Sequence, residues 1–108
     1  MANIPAAYDK AQVLAVHNTK YYTYLQTKLG EAEASAKVLK LGTDLNTHLR
    51  KAWKSGDAAL IAEKTEAAKA VLQELEDLFD TLHGEGKFPE KSYNTFKGEI
   101  AGIKGLLV

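Results

Sequence analysis

Histidines are the residues of this sequence best suited to acid–base or metal chemistry. His48 follows Asp44 by four positions, and His83 follows Asp80 by three. On a helix, both spacings place a carboxylate and an imidazole on one face, as a pair of metal ligands requires. A di-metal bundle uses two Glu-x-x-His units and two more inward glutamates, and neither pair here contains a glutamate. We therefore predict no metal and no other cofactor, and interpret His83 as a cation near a helix end.

Serine and glycine motifs of common enzymes are missing as well. Ser35 and Ser55 have no histidine nearby in the sequence, and there is no Gly-x-Ser-x-Gly element. The glycines Gly98, Gly102 and Gly105 lack the lysine–serine ending of a phosphate-binding loop. The chain has no cysteine, so there is no thiol nucleophile and no disulfide. The sequence therefore predicts no catalytic residue and no enzymatic activity.

Closely spaced tyrosines form the best candidate for a binding surface. Tyr21, Tyr22 and Tyr24 cannot all face one core, because successive residues on a helix are turned by about 100°. With His17 and Lys20 nearby, the outward-facing rings would make an amphipathic patch of the kind enriched at protein interfaces. The alternative is that these rings only cover helix ends and a loop.

Trp53 and three glycines allow two interpretations each. Trp53 either anchors the core, which the sequence favours, or takes part in recognition. Gly98, Gly102 and Gly105 either allow close contact with a neighbouring helix or weaken the last helix so that it orders on binding. The candidate partner-binding residues are Tyr21, Tyr22, Tyr24, Trp53, Gly98 and Gly102.

The elements that must position these residues are helices. The clearest sign is the C-terminal stripe, whose apolar residues recur at intervals of three and four, the spacing of one helical face. We predict an all-α, compact antiparallel bundle of about four helices, near residues 6–29, 31–54, 57–83 and 89–107. The alternative has three helices, with a long, bent first one. The stripe consists of Tyr93, Phe96, Ile100, Ile103 and Leu107.

Glycines, a proline and helix-capping residues indicate where the turns between the helices lie. Gly30 favours a turn or kink, and the segment 53–57 breaks the periodicity, with Ser55 or Asp57 able to cap the next helix. In the segment 84–89, Gly84 suits the left-handed position after a helix, and the proline suits the first turn of the following one.

Length and charge restrict the classes of function. A chain of 108 residues is about one domain, which we place at residues 1–108. Residues 1–10 contain no apolar run long enough for a signal peptide, and no stretch approaches the roughly 20 apolar residues of a membrane span, so with no cysteine we predict a cytoplasmic protein. The 14 basic and 14 acidic residues cancel, which argues against nucleic acid as the partner. The segment 37–54 is basic and the segment 57–85 is acidic. We expect two neighbouring helices that partly neutralise each other; the alternative is that one of these faces meets a charged partner.

Two families are similar to parts of the sequence. Trp53 followed by Gly56 at a mid-chain hairpin resembles the Trp-x-Gly turn of small secreted helical-hairpin proteins, with the glycine one position later. Residues 68–107, with Lys87 and Phe88 in the short loop, resemble the last two helices of four-helix bacteriocin immunity proteins. Neither resemblance assigns a family or a functional residue.

These observations predict a non-enzymatic module that binds another protein through a helical face. It would be an adaptor, a chaperone, an immunity-type inhibitor or a small phage or structural component. The alternative is a bundle that carries a metal, haem or apolar molecule near His48 or His83. Self-association, with a second copy covering leftover apolar surface, stays open.

Overall fold

The computed structural model describes residues 2–108 as four α-helices joined by short loops. They are α1 (Ile4–Thr27), α2 (Ala32–Ser55), α3 (Ala58–Gly84) and α4 (Glu90–Leu106). Helix α1 packs against α2 and α4, and α3 packs against the same two helices, so the bundle closes on itself. The all-α bundle of four helices is confirmed, and the alternative with three helices is wrong. Each helix end lies within two residues of its predicted position.

Glycines with positive φ end the first three helices or follow them closely. Gly30 has a φ of 65° in the α1–α2 loop, where the sequence predicts a turn. Gly56 has a φ of 69° directly after α2, and Asp57 then caps α3 by accepting a hydrogen bond from the Ala59 N–H. The prediction for Gly84 is wrong, since it is the last residue of α3 and Gly86, with a φ of 73°, makes the turn.

The predicted stripes form the core of the bundle. All residues of the α4 stripe are buried except Tyr93, which is half-buried. Leu29 is 37% exposed because α1 ends two residues earlier. Four rings at one end of the core form an aromatic cluster, with centroid distances as short as 3.8 Å. The cluster consists of Tyr21, Phe79, Phe88 and Phe96.

One buried polar side chain interrupts this core. Asn18 on α1 is 2% exposed, and neither atom of its amide group has a hydrogen-bond partner among residues 2–108. Gly42 on α2 faces it, and a β-carbon added there would lie 2.7 Å from the Asn18 Nδ2 atom. Gly42 thus provides the space that the asparagine occupies.

Ion pairs join α3 to α4. The Glu76 carboxylate accepts hydrogen bonds from Lys104 at 2.6 Å and is 2.8 Å from Lys97. Asp80 accepts from the Tyr93 hydroxyl at 2.6 Å and from Lys97 at 3.0 Å. In residues 2–108 no ion pair joins basic α2 to acidic α3, although the two helices are neighbours. The acidic helix is neutralised by α4 instead.

We expect Glu76→Gln to lower the free energy of unfolding by about 1 kcal/mol at neutral pH. Hydrogen bonds from Lys104 and Lys97 lower the pKa of Glu76 below its ordinary value of 4.5. Since the folded chain then binds this proton less readily than the unfolded chain, the stabilisation is present above pH 4.5 and is lost as the pH falls through the lowered pKa.

Urea unfolding followed by circular dichroism, from neutral pH down to about pH 3, measures this difference. The matched control is Glu63→Gln, because Glu63 is an exposed glutamate of α3 and, within residues 2–108, has no ion pair. Two variants with the same stability at every pH would contradict the prediction.

Among the helices formed by residues 2–108, none combines the length and the hydropathy that crossing a membrane requires.

Candidate protein-binding groove

A groove between α1 and α4 lies at the predicted tyrosine patch. Its volume is about 330 Å³, near the lower end of the range of roughly 300–1,000 Å³ for ligand pockets. One wall comes from α1 and the other from the start of α4, just after the α3–α4 loop. The lining residues are His17, Lys20, Tyr21, Tyr24, Pro89, Lys91, Ser92, Thr95 and Phe96.

The floor of the groove is aromatic and uncharged. Tyr21 and Phe96 belong to the aromatic cluster, and the Tyr24 ring lies nearly parallel to that of Tyr21, at 6.2 Å and 18°. The Tyr21 hydroxyl donates a hydrogen bond to the backbone carbonyl of Lys87 at 2.8 Å. Burial raises the pKa of Tyr21 well above its ordinary value of 10.0. The phenol therefore stays neutral and is held in one orientation.

His17, which lines the groove, is hydrogen-bonded to Glu99 of α4. The His17 Nδ1 atom lies 2.7 Å from the Glu99 carboxylate, and the imidazole meets the Phe96 ring edge-on at 6.1 Å. This pair joins α1 directly to α4. It also means that the histidine nearest the tyrosines is already engaged within the chain.

Lys20 and Lys91 lie at the exposed rim. In the part of the chain that the structure describes, neither amine comes within 4.0 Å of a carboxylate. No residue that lines the groove is acidic. The N-terminal turn of α4, with its partial positive charge, borders the same groove. The two lysines are therefore the charges that line the groove, although the whole chain is neutral. The nearby carboxylates of Glu99 and Glu90 lie against His17 and His83.

The surface continues from the groove toward the end of α4. Val13 is 52% exposed and, at helical spacing, shares a side of α1 with His17, Lys20 and Tyr24. A β-carbon added at Gly98 would meet nothing within 4 Å, and one at Gly102 would meet only the Lys10 side chain. We call the groove together with Val13, Gly98 and Gly102 the α1–α4 face.

The structure corrects one interpretation of these glycines. They do not allow a close approach of two helices within the bundle, since Gly98 and Gly105 have open space where a β-carbon would be. Their role as partner-binding residues stays a prediction.

We expect Gly98→Ala to raise the free energy of unfolding by up to about 1 kcal/mol, the difference in helix propensity between the two residues. The site is inside α4, and nothing nearby would clash with the added methyl group. Thermal or urea unfolding measures the change. A destabilised variant would show that the surroundings of Gly98 are more crowded than the structure indicates.

No family model matches the sequence, and no curated protein matches it. Among solved structures, the chain is similar to the crystal structure of a protein with unknown function from the S23 ribosomal protein family, from Bacteroides thetaiotaomicron VPI-5482. The TM-score is 0.90 at 22% sequence identity, and the match covers 96% of this chain and 93% of that chain. The two proteins share a fold. At this identity the likeness carries no residue role from one to the other.

The structure separates the six predicted partner-binding residues into two groups. Tyr21 and Tyr24 line the groove, and the glycines at 98 and 102 extend the same face. Tyr22 is half-buried and does not line the groove. Trp53 lies near the other end of α1, where its ring packs at 5.4 Å against Tyr8, and it is 44% exposed. The expectation that Trp53 anchors the core is therefore wrong.

His48 and His83 are the residues on which the alternative, ligand-carrying hypothesis depends. His83 stacks on the Tyr93 ring at 3.8 Å and pairs with Glu90. Asp80, its predicted companion, is hydrogen-bonded to Tyr93 and Lys97. His48 is half-buried, and its Nδ1 atom has no partner in residues 2–108. Within the same residues, no group of three or more His, Cys, Asp or Glu side chains is placed to hold a metal ion.

Sequence reasoning missed the α4 wall of the groove. Lys91, Ser92 and Thr95 have no unusual type or spacing, and only the pairing of α1 with α4 brings them opposite Tyr24. The one available signal was Pro89, which fixes where α4 begins.

Proposed function

We propose that this protein is a non-enzymatic interaction module that binds another protein through its α1–α4 face. The observation that carries this proposal is the groove, where the half-buried ring of Tyr24 lies over the buried rings of Tyr21 and Phe96, beside two lysines that lack an acidic partner within residues 2–108. Aromatic side chains in partly enclosed pockets supply much of the binding energy at protein interfaces.

Exposed residues in and beside the α1–α4 face support this interpretation. Val13 and Val16 are 52% and 57% exposed on the outer side of α1. On α4, Gly98, Ala101 and Gly105 are exposed and have small or no side chains, so another helix could approach the backbone closely. Adaptor, chaperone, immunity-type inhibitor and small phage or structural component all fit such a face, in the cytoplasm that the cysteine-free sequence favours.

Site-specific photo-cross-linking tests the proposal. A benzoylphenylalanine at Thr95, on the groove, is compared in living cells with the same amino acid at Thr47, an exposed residue of α2. We expect one defined protein cross-linked from Thr95 and not from Thr47, with the adduct lost when Tyr24 is replaced by alanine.

Mass spectrometry of the adduct identifies the partner, and a second copy of this chain would also be recognised there. Cross-linking of equal strength from both positions, or from Thr47 alone, would contradict binding through the α1–α4 face. Circular dichroism confirms that each variant is folded.

A further inference from the structure

We infer that the occupant of the groove is an acidic peptide segment of the partner that inserts one apolar side chain onto the aromatic floor. This inference rests on the proposed function and adds the chemistry of the partner. It follows from the charge around the groove, the size of the groove and the nature of its floor.

The charges of the groove select the charge of its occupant. Lys20 and Lys91 lie on opposite walls, one on α1 and the other on α4. The other nearby cations, Lys87 and Lys97, already pair with carboxylates of this chain. Two rim lysines therefore stay available to carboxylates of another molecule, whereas a basic segment would meet like charges on both sides.

The floor selects an apolar side chain between those carboxylates. Tyr21 is 4% exposed and Phe96 is 3% exposed, so the accessible ring surface of the floor comes mainly from the half-buried Tyr24, and the Tyr21 hydroxyl is already bonded to the Lys87 carbonyl. A carboxylate laid against a ring face would lose water without gaining a hydrogen bond from it, which is unfavourable. An aromatic or aliphatic side chain would instead bury against the rings of Tyr21, Tyr24 and Phe96.

The same features favour a peptide over a nucleic acid. Binding of single strands uses a long positive groove with several rings for successive bases. Here the groove holds about 330 Å³, and the two lysines at its rim have no carboxylate partner within residues 2–108. That arrangement matches one side chain with flanking carboxylates.

Selection from a displayed library of random short peptides tests the inference on the intact protein. We expect the enriched sequences to contain an aromatic or large aliphatic residue flanked by Asp and Glu. Binding of an enriched peptide should fall roughly tenfold in Lys20→Glu/Lys91→Glu, and should weaken as salt is added. The matched control is Lys37→Glu/Lys51→Glu, the same change on two exposed lysines of α2.

A second variant separates shape from charge. Thr95→Trp fills the groove without changing a charge and should abolish binding, whereas Thr47→Trp on α2 should not. Amide chemical shifts in two-dimensional NMR should change around Tyr24 and Ser92 when the peptide is added, which places it in the groove.

Enrichment of basic or uncharged peptides would overturn the inference. So would a selection that enriches no more peptide on the natural protein than on the Thr95→Trp variant. A single-stranded oligonucleotide that binds more tightly and displaces the peptide from the groove would overturn it as well. Cross-linking of a partner from Thr95 alongside any of these outcomes would leave the proposed function standing without its acidic peptide. Peptide selection as expected, with cellular cross-linking that maps to α2, would contradict the proposed function alone.

Discussion

Replacing Phe79 by alanine is expected to lower the free energy of unfolding by about 3–5 kcal/mol, the range for truncating a buried phenylalanine. Phe79 is completely buried, and its ring contacts those of Tyr21, Phe88 and Phe96 at centroid distances of 5.8, 5.2 and 4.8 Å. The cavity would lie where α1, α3, α4 and the α3–α4 loop meet. Since a domain of this size is stable by only about 5–15 kcal/mol, much of that stability would be lost.

Urea unfolding followed by far-ultraviolet circular dichroism measures this loss. The control is Leu39→Ala, which removes an apolar side chain that is 42% exposed on α2 and should change stability by less than about 0.5 kcal/mol. Equal effects of the two substitutions would contradict the central role of the aromatic cluster.

The second large effect is expected at the contact between Asn18 and Gly42. Alanine is a better helix former than glycine by about 1 kcal/mol, so Gly42→Ala would stabilise α2 if nothing else changed. Its methyl group, however, would lie 2.7 Å from the Asn18 amide, and overpacking a core typically destabilises by about 1–3 kcal/mol. We expect a net loss in the natural background.

A double-mutant cycle shows whether the amide is responsible. The Asn18→Ala variant lacks the amide that the new methyl group would meet. Adding Gly42→Ala to that variant should therefore stabilise the protein by up to about 1 kcal/mol. The effect of one substitution would thus change sign between the two backgrounds. If Gly42→Ala changes stability in the same direction in both backgrounds, the Asn18 side chain moves out of the way at little cost, although it is only 2% exposed.

Helices and turns could be predicted because the patterns that specify them are local. Apolar residues three and four apart define each buried stripe, and Gly30, Gly56 and Asp57 stand at the loops that the structure contains. The misplaced turn at Gly84 shows the limit of this reasoning. Two glycines stand two residues apart, and which of them turns depends on how far α3 extends.

The groove could be predicted only on its α1 side. Tyr24 and Lys20 stand out by type and proximity, whereas Lys91 and Thr95 matter only because α4 packs beside α1. Trp53 illustrates the opposite case. Its size favours a buried position, but at the last turn of α2 its ring lies against Tyr8 and stays 44% exposed.

Trp53 is the sole tryptophan of the sequence, and its position makes it an intrinsic optical reporter. Its indole contacts Tyr8 near the start of α1 and has the Lys54 amine 4.2 Å from the ring. Fluorescence excited at this residue therefore follows the separation of α1 from α2 during denaturation. Because the groove is formed by the opposite end of α1, a ligand there should leave the emission spectrum almost unchanged.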